Sequence, residues 1–159
     1  MLRRKNERPI YTENIYYRRK HKMNSRINET IKRHDKGYNC AQAVACTYCD
    51  LIGIDEETMF KMTEAFGLGM GCMEGTCGAV TGACVLAGMK NSTGNLEAPN
   101  SKASSYQISR EILSRFKEQN SSVTCKELKG VETGKVLRSC PDCIMDAAKI
   151  AEDILFDEL

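Results

Sequence analysis

Apolar side chains recur every three to four residues along most of the chain, which is the spacing of one face of an α-helix. The C-terminal segment shows this clearly, because Ile144, Ala148, Ala151 and Leu155 share one side of a helical wheel. The pattern predicts helices over about residues 24–37, 40–51, 55–66, 78–89, 102–119, 124–128 and 141–155.

Residues that favour helix ends support these boundaries. Asn39 and Asp55 are suitable N-caps for the second and third helices, and Pro141 suits the first turn of the last. Gly53 and Gly67 are placed to end the second and third helices. The apolar side of the third helix is predicted to consist of Met59, Phe60, Met62, Thr63 and Phe66.

The alternating pattern of a β-strand is almost absent from the sequence. Residues 131–137 are the one short candidate, and there are no internal repeats. The sequence therefore predicts an all-α fold, a single compact bundle of about five to seven helices. A glycine-rich loop over residues 67–71 would precede the helix that begins at Gly78.

Length and composition are those of one globular domain, with 159 residues and 42% hydrophobic side chains. The chain lacks Trp and has few aromatic residues, so a base-stacking surface for nucleic acid is not expected. The longest apolar stretch, residues 78–89, is too short to cross a bilayer. No apolar segment of a signal peptide follows the charged N-terminus. These features predict a cytoplasmic protein whose thiols are kept reduced.

The first 22 residues differ in charge from the rest. They contain eight Lys and Arg side chains against Glu7 and Glu13, whereas the whole chain has a formal net charge of only +2. We expect residues 1–22 to be a flexible basic extension and residues 23–159 to be the folded domain. Met23, which precedes the first helical pattern, is an alternative start. Contact of the basic arm with nucleic acid is the less favoured alternative.

Nine cysteines are the main chemical feature of the chain. Burial in the core is the simplest role for any one of them, because free Cys is among the most buried residue types. Four of them, however, fall at predicted helix starts, where free N–H groups and the helix dipole stabilise a thiolate. These four are Cys40, Cys77, Cys125 and Cys140.

The other five cysteines are placed differently. Cys46 and Cys49 form a CxxC pair, but they lie on another side of the second helix from Cys40 and have no βαβ context. Cys84 is expected to pack in the core, and Cys72 lies in the glycine-rich loop. Cys143, three residues after Cys140, is equally compatible with a ligand, a resolving thiol or a packing residue.

The glycines of the loop, together with Gly78, are expected to shape the site around Cys77. A phosphate-binding role is disfavoured, because a helix rather than a strand precedes the loop and the lysine of a P-loop is missing. Close approach of the backbone and positive φ angles explain Gly67, Gly69 and Gly71 better. Amides of this loop could also donate hydrogen bonds to sulfur.

These features together resemble a known family of redox-active proteins, named C_GCAxxG_C_C after its pattern. The resemblance covers about residue 25 to the C-terminus and leaves the basic arm outside. It rests on Asn39-Cys40-Ala41-Gln42-Ala43-Val44, the loop 66–71, Cys77-Gly78-Ala79-Val80-Thr81-Gly82, Cys125-Lys126-Glu127-Leu128, and Cys140 before Asp146-Ala147-Ala148. It implies a redox role for the family's four cysteines, which correspond to Cys40, Cys77, Cys125 and Cys140. Cys143 lies close enough to compete with Cys140.

Four functions are compatible with the sequence, and whether the protein is an enzyme stays open. The favoured hypothesis is that the four cysteines ligate an iron–sulfur cluster for electron transfer with a redox partner protein. The second is a metal-free thiol–disulfide protein with Cys77 as the attacking thiolate. A structural zinc site ranks third, because zinc sites usually have two close cysteine pairs. A helical binding module with buried cysteines ranks last, and homo-oligomerisation is possible in each case.

Overall fold

The computed structural model describes residues 24–157. The expected basic extension over residues 1–22 lies outside this range. Within it the chain forms seven α-helices and no β-strand, which confirms the all-α fold. The helices are α1 (Ile27–Asp35), α2 (Cys40–Tyr48), α3 (Glu56–Thr63), α4 (Gly78–Asn91), α5 (Lys102–Asn120), α6 (Cys125–Lys129) and α7 (Cys140–Ala151).

Shorter turns connect these helices. Helix α2 continues into a 3₁₀ turn, Cys49–Ile52, and α3 continues into another, Glu64–Phe66. A turn of π-helix, Glu152–Phe156, follows α7. The Gly67–Met70 segment of the predicted loop is a tight turn in which Leu68 and Gly69 have left-handed backbone angles. None of the helices in residues 24–157 is long and apolar enough to cross a membrane.

Helices α2 and α4 form the centre of the bundle. Every residue of α2 from Ala41 to Tyr48 is buried, and α4 packs against α2, α5 and α7. Gly82 makes the α2–α4 contact possible, because a Cβ at this position would lie 2.6 Å from the Ala41 carbonyl oxygen. This close crossing brings the N-terminal ends of the two helices, with Cys40 and Cys77, to the same side of the bundle.

Contacts from the last turn of the chain hold α1 and α2 against α7. The Tyr48 ring stacks on Phe156 at a centroid distance of 5.5 Å, and its hydroxyl donates to Glu152 Oε1 at 2.8 Å. The same carboxylate oxygen accepts the Arg26 backbone N–H at 2.6 Å. A buried aromatic pair with a satisfied hydroxyl fixes the relative orientation of these elements.

The short strand candidate over residues 131–137 does not form a strand, in agreement with the predicted all-α fold. This segment consists of turns, with Gly130 and Gly134 in the left-handed region. Its backbone groups bond to α6 instead of a neighbouring strand: Val131 N–H donates to Lys126 O, and Leu137 N–H donates to Leu128 O. The apolar residues that suggested a strand, Val131, Val136 and Leu137, are exposed.

The predicted apolar side of α3 is too wide. Met59 and Thr63 are fully buried, but the Met62 side chain is 48% exposed and faces solvent. A helix of eight residues has one narrow buried face, and here Met59 and Thr63, four residues apart, occupy it.

Candidate functional site

Each of the four cysteines singled out above lies at the start of a helix, as predicted. Cys40, Cys125 and Cys140 are the first residues of α2, α6 and α7, and Cys77 is the N-cap of α4. The unpaired N–H groups of a first helical turn favour negative charge on a neighbouring sulfur.

A capping box fixes the position of Cys40. The Asn39 side chain accepts from the backbone N–H groups of Ala41 and Gln42 at 3.0 and 2.9 Å. In return, Gln42 Oε1 accepts the Asn39 N–H at 2.9 Å. Asn39 Nδ2 also donates to the Glu64 carbonyl at 2.8 Å, which ties the start of α2 to the turn before the glycine loop.

Backbone pairing places Cys77 beside Cys125. Thr76 and Thr124 form an isolated antiparallel bridge. On either side of it, Cys77 N–H donates to Val123 O at 2.7 Å and Cys125 N–H donates to Gly75 O at 3.0 Å. The starts of α4 and α6 are therefore neighbours, although they are far apart in sequence.

A second set of backbone bonds brings the start of α7 to the end of α6. The Leu128 carbonyl accepts both the Leu137 and Arg138 N–H groups, at 2.9 and 3.2 Å. Ser139 caps α7 by accepting the Asp142 N–H at 3.3 Å. Cys140 follows Ser139 directly in the chain. Together with the bonds described above, these backbone and capping hydrogen bonds fix the starts of α2, α4, α6 and α7.

Glycines allow the backbone to approach the thiols closely. A Cβ at Gly78 would overlap the Cys40 sulfur and lie 2.9 Å from the Phe66 carbonyl oxygen. A Cβ at Gly69 would lie 2.5 Å from Cys125 Cβ, and one at Gly67 would lie 2.6 Å from Asn39 Cγ. The glycine loop therefore borders Cys40 and Cys125, whereas the sequence predicted that it would border Cys77.

Two of the predicted glycine roles change in the structure. Gly67 has φ −62° and ψ 160°, an extended conformation, so close packing and not a positive φ explains the glycine. Gly71 has φ +78°, but a side chain there would meet nothing within 4 Å. Gly71 therefore ends the turn and does not line the thiol site.

Three non-glycine residues in and just after the glycine loop have left-handed backbone conformations. They are Leu68, Met70 and Met73, with φ of 53°, 63° and 64°. Such conformations cost on the order of 1 kcal/mol each and persist where the surroundings impose them. The turn directs the Leu68 amide at the Cys40 sulfur, where it partly opposes the rise in the Cys40 pKa that burial causes.

The four thiols affect one another electrostatically. The pKa of Cys125 is raised to about 11, mainly by burial and in part by negative charge on Cys77, Cys40 and Cys140. Charge on Cys77 and Cys140 likewise adds to the effect of burial on the pKa of Cys40. Such mutual effects require that the sulfurs lie close together in a poorly solvated region.

Cys143 is the immediate neighbour of Cys77. Its thiol donates to the Arg138 carbonyl at 3.9 Å, and its proximity lowers the Cys77 pKa, with help from the Ala79 and Val80 amides and from Lys129. The same proximity, together with burial, raises the pKa of Cys143. Cys143 therefore borders the four-thiol site, defined as Cys40, Cys77, Cys125 and Cys140.

The remaining four cysteines lie elsewhere. Cys46 and Cys49 are buried near Glu56, and burial raises the pKa of Cys46 to about 12, which keeps this thiol protonated at neutral pH. Cys84 is half-buried and packs against the core. Cys72 is exposed in the glycine loop.

Lys129 belongs to the site and was missed from the sequence. It is half-buried at the end of α6, and its pKa is raised, mainly by Cys140 and further by Cys125 and Cys40. Lys129 lies four residues after Cys125, and this helical spacing in the sequence would have indicated that the two side chains are neighbours. The contact with Cys140 could not be anticipated, because it depends on the turns over residues 130–139.

The donor chemistry of the site fits an iron–sulfur cluster. Four soft thiols come from four helices, each at a helix end that favours anions, and Gly69 and Gly78 let the backbone pack directly against Cys125 and Cys40. Within residues 24–157, no three Cys, His, Asp or Glu side chains are arranged to hold a metal ion in this structure.

Comparison with known proteins identifies one family. Residues 38–154 match the model of the family described as "Putative redox-active protein (C_GCAxxG_C_C)". No curated protein and no solved structure shows detectable similarity to the chain. The matched segment covers most of the chain and contains all four helix-start cysteines. The protein therefore belongs to the C_GCAxxG_C_C family.

Proposed function

We propose that Cys40, Cys77, Cys125 and Cys140 ligate an iron–sulfur cluster that transfers electrons to or from a redox partner protein. The observation that carries this proposal is the meeting of four helix N-termini, each with a cysteine in its first turn or at its cap. A cluster, when bound, would supply one-electron chemistry that cysteine side chains alone do not provide.

The residues of the chain have separate tasks in this proposal. The four cysteines supply thiolate ligands, and the helix starts and Lys129 offset their negative charge. The turn at Leu68–Gly69 and the start of α4 at Gly78 pack directly against Cys125 and Cys40 and so fix their positions. Burial of Cys77 and Cys125, each 6% exposed, would limit access of water and oxidants.

The sequence spacing of the four cysteines favours a cluster over zinc, because zinc sites usually have two close cysteine pairs. Four sulfurs around one zinc ion lie about 3.8 Å apart, given a Zn–S bond of about 2.3 Å. The described residues present no such compact group. A cluster holds its cysteine ligands farther apart, because bridging sulfides and several iron atoms lie between them.

Anaerobic purification tests the proposal, with visible absorption and assays for iron, zinc and acid-labile sulfide. We expect a coloured protein that contains iron and sulfide, either as purified or after anaerobic reconstitution. Colourless protein without iron after reconstitution would rule the cluster out. Zinc without sulfide would instead support the structural zinc hypothesis.

A metal-free thiol–disulfide function is the second candidate, favoured by the Cys77–Cys143 contact. The Cys77 thiolate would attack a substrate disulfide, forming a mixed disulfide and releasing one substrate thiolate. Cys143 would then lose its proton and attack the Cys77 sulfur, releasing the second thiolate. The substrate disulfide is reduced by two electrons, and the protein dithiol is oxidised to a Cys77–Cys143 disulfide.

The Cys143→Ser substitution separates the two functions. A cluster held by the other four cysteines should survive this change, whereas the internal disulfide cannot form without Cys143. Disulfide mapping after treatment with oxidised glutathione provides the second measurement. Either function fits a reducing compartment, and the cytoplasm is the location that we propose.

A further inference from the structure

Cys46 and Cys49 form a CxxC pair that the proposed function leaves unused. Cys46 lies in the last turn of α2, and Cys49 begins the 3₁₀ turn that continues this helix. Residues three apart in such a segment have Cα atoms about 5–6 Å apart. The Cys49 side chain points back along the helix, because its thiol donates to the Cys46 carbonyl oxygen at 3.2 Å. The two thiols therefore lie within one helical turn of each other.

Both thiols line a groove of about 480 Å³ between α1, α2 and the start of α3. They lie at its floor, since Cys46 is 1% and Cys49 is 4% exposed. The Cys46 thiol is directed at the start of α3, where it donates to the Glu56 carbonyl oxygen at 3.9 Å. Neither cysteine is in a disulfide. A thiol is a weak hydrogen-bond donor, so both contacts can be given up when a stronger ligand binds.

The charged side chains around the groove favour a cation. Two guanidinium groups and four carboxylates line it: Arg26, Arg33, Glu29, Asp50, Asp55 and Glu56. Ion pairs of 2.7 Å, from Arg26 to Asp50, and 2.9 Å, from Arg33 to Glu56, neutralise both arginines. The remaining charge of the groove is negative, which attracts cations and disfavours anionic reagents such as glutathione disulfide.

Burial of the thiols also favours metal binding over thiol–disulfide exchange. Exchange needs a thiolate, and burial raises the pKa of Cys46 to about 12. A soft metal ion, in contrast, displaces the thiol proton when it binds, so a protonated thiol is no obstacle to ligation.

The number of ligands selects the kind of ion. Within residues 24–157, no third Cys, His, Asp or Glu side chain joins the pair in a metal-binding arrangement. Zinc takes four ligands in its structural sites, so two thiols alone do not suit it. Cu(I) is a soft ion that thiolate ligands select, and two thiolates are enough to hold it.

We propose that Cys46 and Cys49 form a second site, separate from the four-thiol site, which binds one soft monovalent metal ion such as Cu(I). Two thiols and Cu(I) form a bis-thiolate centre with two Cu–S bonds and release two protons, and no atom is oxidised or reduced. The carboxylates of the groove attract the incoming cation. Arg26 and Arg33, in the walls of the groove, offset the single negative charge of the product.

The test counts Cu(I) ions bound to the reduced full-length protein by anaerobic native mass spectrometry, after equilibration with Cu(I) buffered by the chelator bicinchoninate. It compares the wild type with Cys46→Ser, Cys49→Ser and the double variant. Cys84→Ser is the matched control, since it removes one half-buried thiol outside the groove. We expect each single variant to bind one Cu(I) fewer than the wild type, and Cys84→Ser to bind as many.

The double variant tests whether the two sulfurs share one ion. It should bind no fewer Cu(I) ions than either single variant, because loss of one ligand already removes the ion. Equal counts in the wild type and both single variants, or a further loss in the double variant, would overturn the inference. Cys46→Ala and Cys49→Ala repeat the count without a hydroxyl group in the core, which guards against a folding defect in the serine variants.

The Cys77→Ser background keeps this site distinct from the four-thiol site. The loss of one Cu(I) caused by Cys46→Ser should be the same in this background as in the wild type. If Cys77→Ser alone removes that ion, the ion belongs to the four-thiol site and the inference fails. The count does not depend on the proposed cluster, so failure of iron and sulfide uptake would remove the cluster proposal and leave this inference to be decided by Cu(I).

Discussion

Single glycines decide how closely the backbone and the thiols approach each other in this protein. Gly78 begins α4 directly against the Cys40 sulfur, and Gly69 lies against Cys125. Both positions were expected to belong to the site from the sequence. The cysteines that these two glycines contact could not be predicted from the sequence. The loop reverses through Leu68 and Met70, whose left-handed backbone conformations are unusual for these residue types.

The first prediction concerns Gly78. The Gly78→Ala substitution forces a methyl group against the Cys40 sulfur and the Phe66 carbonyl, so we expect a loss of about 1–3 kcal/mol in the free energy of unfolding. Gly88→Ala is the control in the same helix, since a Cβ there meets nothing within 4 Å and should stabilise the helix by about 0.5–1 kcal/mol. Urea unfolding measures both, and equal effects would contradict the packing described here.

The second prediction separates the site cysteines from the others. Cys77→Ser should abolish iron and sulfide binding after reconstitution, because it removes one proposed ligand. Cys49→Ser should retain both, since Cys49 is buried near Glu56 in the 3₁₀ turn after α2. Iron and sulfide assays on the two variants provide the measurement. Similar losses in both would mean that the cysteines have been assigned wrongly.

Helix starts are the elements from which the site is assembled. Those of α2 and α7 were predictable, because Asn39 and Pro141 act on their immediate neighbours in the chain. The contact between Cys143 and Cys77 was not predictable in the same way. It requires the pairing of Thr76 with Thr124 and the turns after Gly130, and in those turns apolar residues suggested a strand that does not form.

The third prediction tests the capping box of α2. Asn39→Ala removes the side-chain cap of α2, which begins at Cys40, and the hydrogen bond to the Glu64 carbonyl oxygen. We therefore expect a loss of about 1–2 kcal/mol in the free energy of unfolding and weaker cluster binding. Asp55→Ala removes the exposed cap of α3 and is the control. It should cost about 1 kcal/mol without any effect on cluster binding. If the two variants bind the cluster equally well, the capping box does not position Cys40 for ligation.

At the scale of the whole molecule, burial of many thiols links the stability of the metal-free protein to pH. The buried thiols with raised pKa values include Cys46, at about 12, and Cys125, at about 11, against an ordinary value of 9.0. A group whose pKa is raised by folding contributes stability below its unfolded pKa and loses it as the pH rises. Cys77, with its lowered pKa, acts in the opposite direction.

The fourth prediction follows from this balance. The free energy of unfolding of the metal-free, reduced protein should fall as the pH rises from about 9 towards 11, because the unfolded chain releases thiol protons first. Cys46→Ala removes one of these groups and should make the fall less steep. Urea unfolding at several pH values measures it, and a pH-independent stability over this range would contradict the burial of the thiols.

The central claim, that four distant cysteines form one iron–sulfur site, is tested most directly by Mössbauer spectroscopy of protein reconstituted with enriched iron. The account predicts iron in a sulfide-bridged, thiolate-ligated environment, present in the wild type and absent from Cys77→Ser. A spectrum of unbound or oxygen-ligated iron alone in the wild type, or the same cluster spectrum in Cys77→Ser, would contradict it.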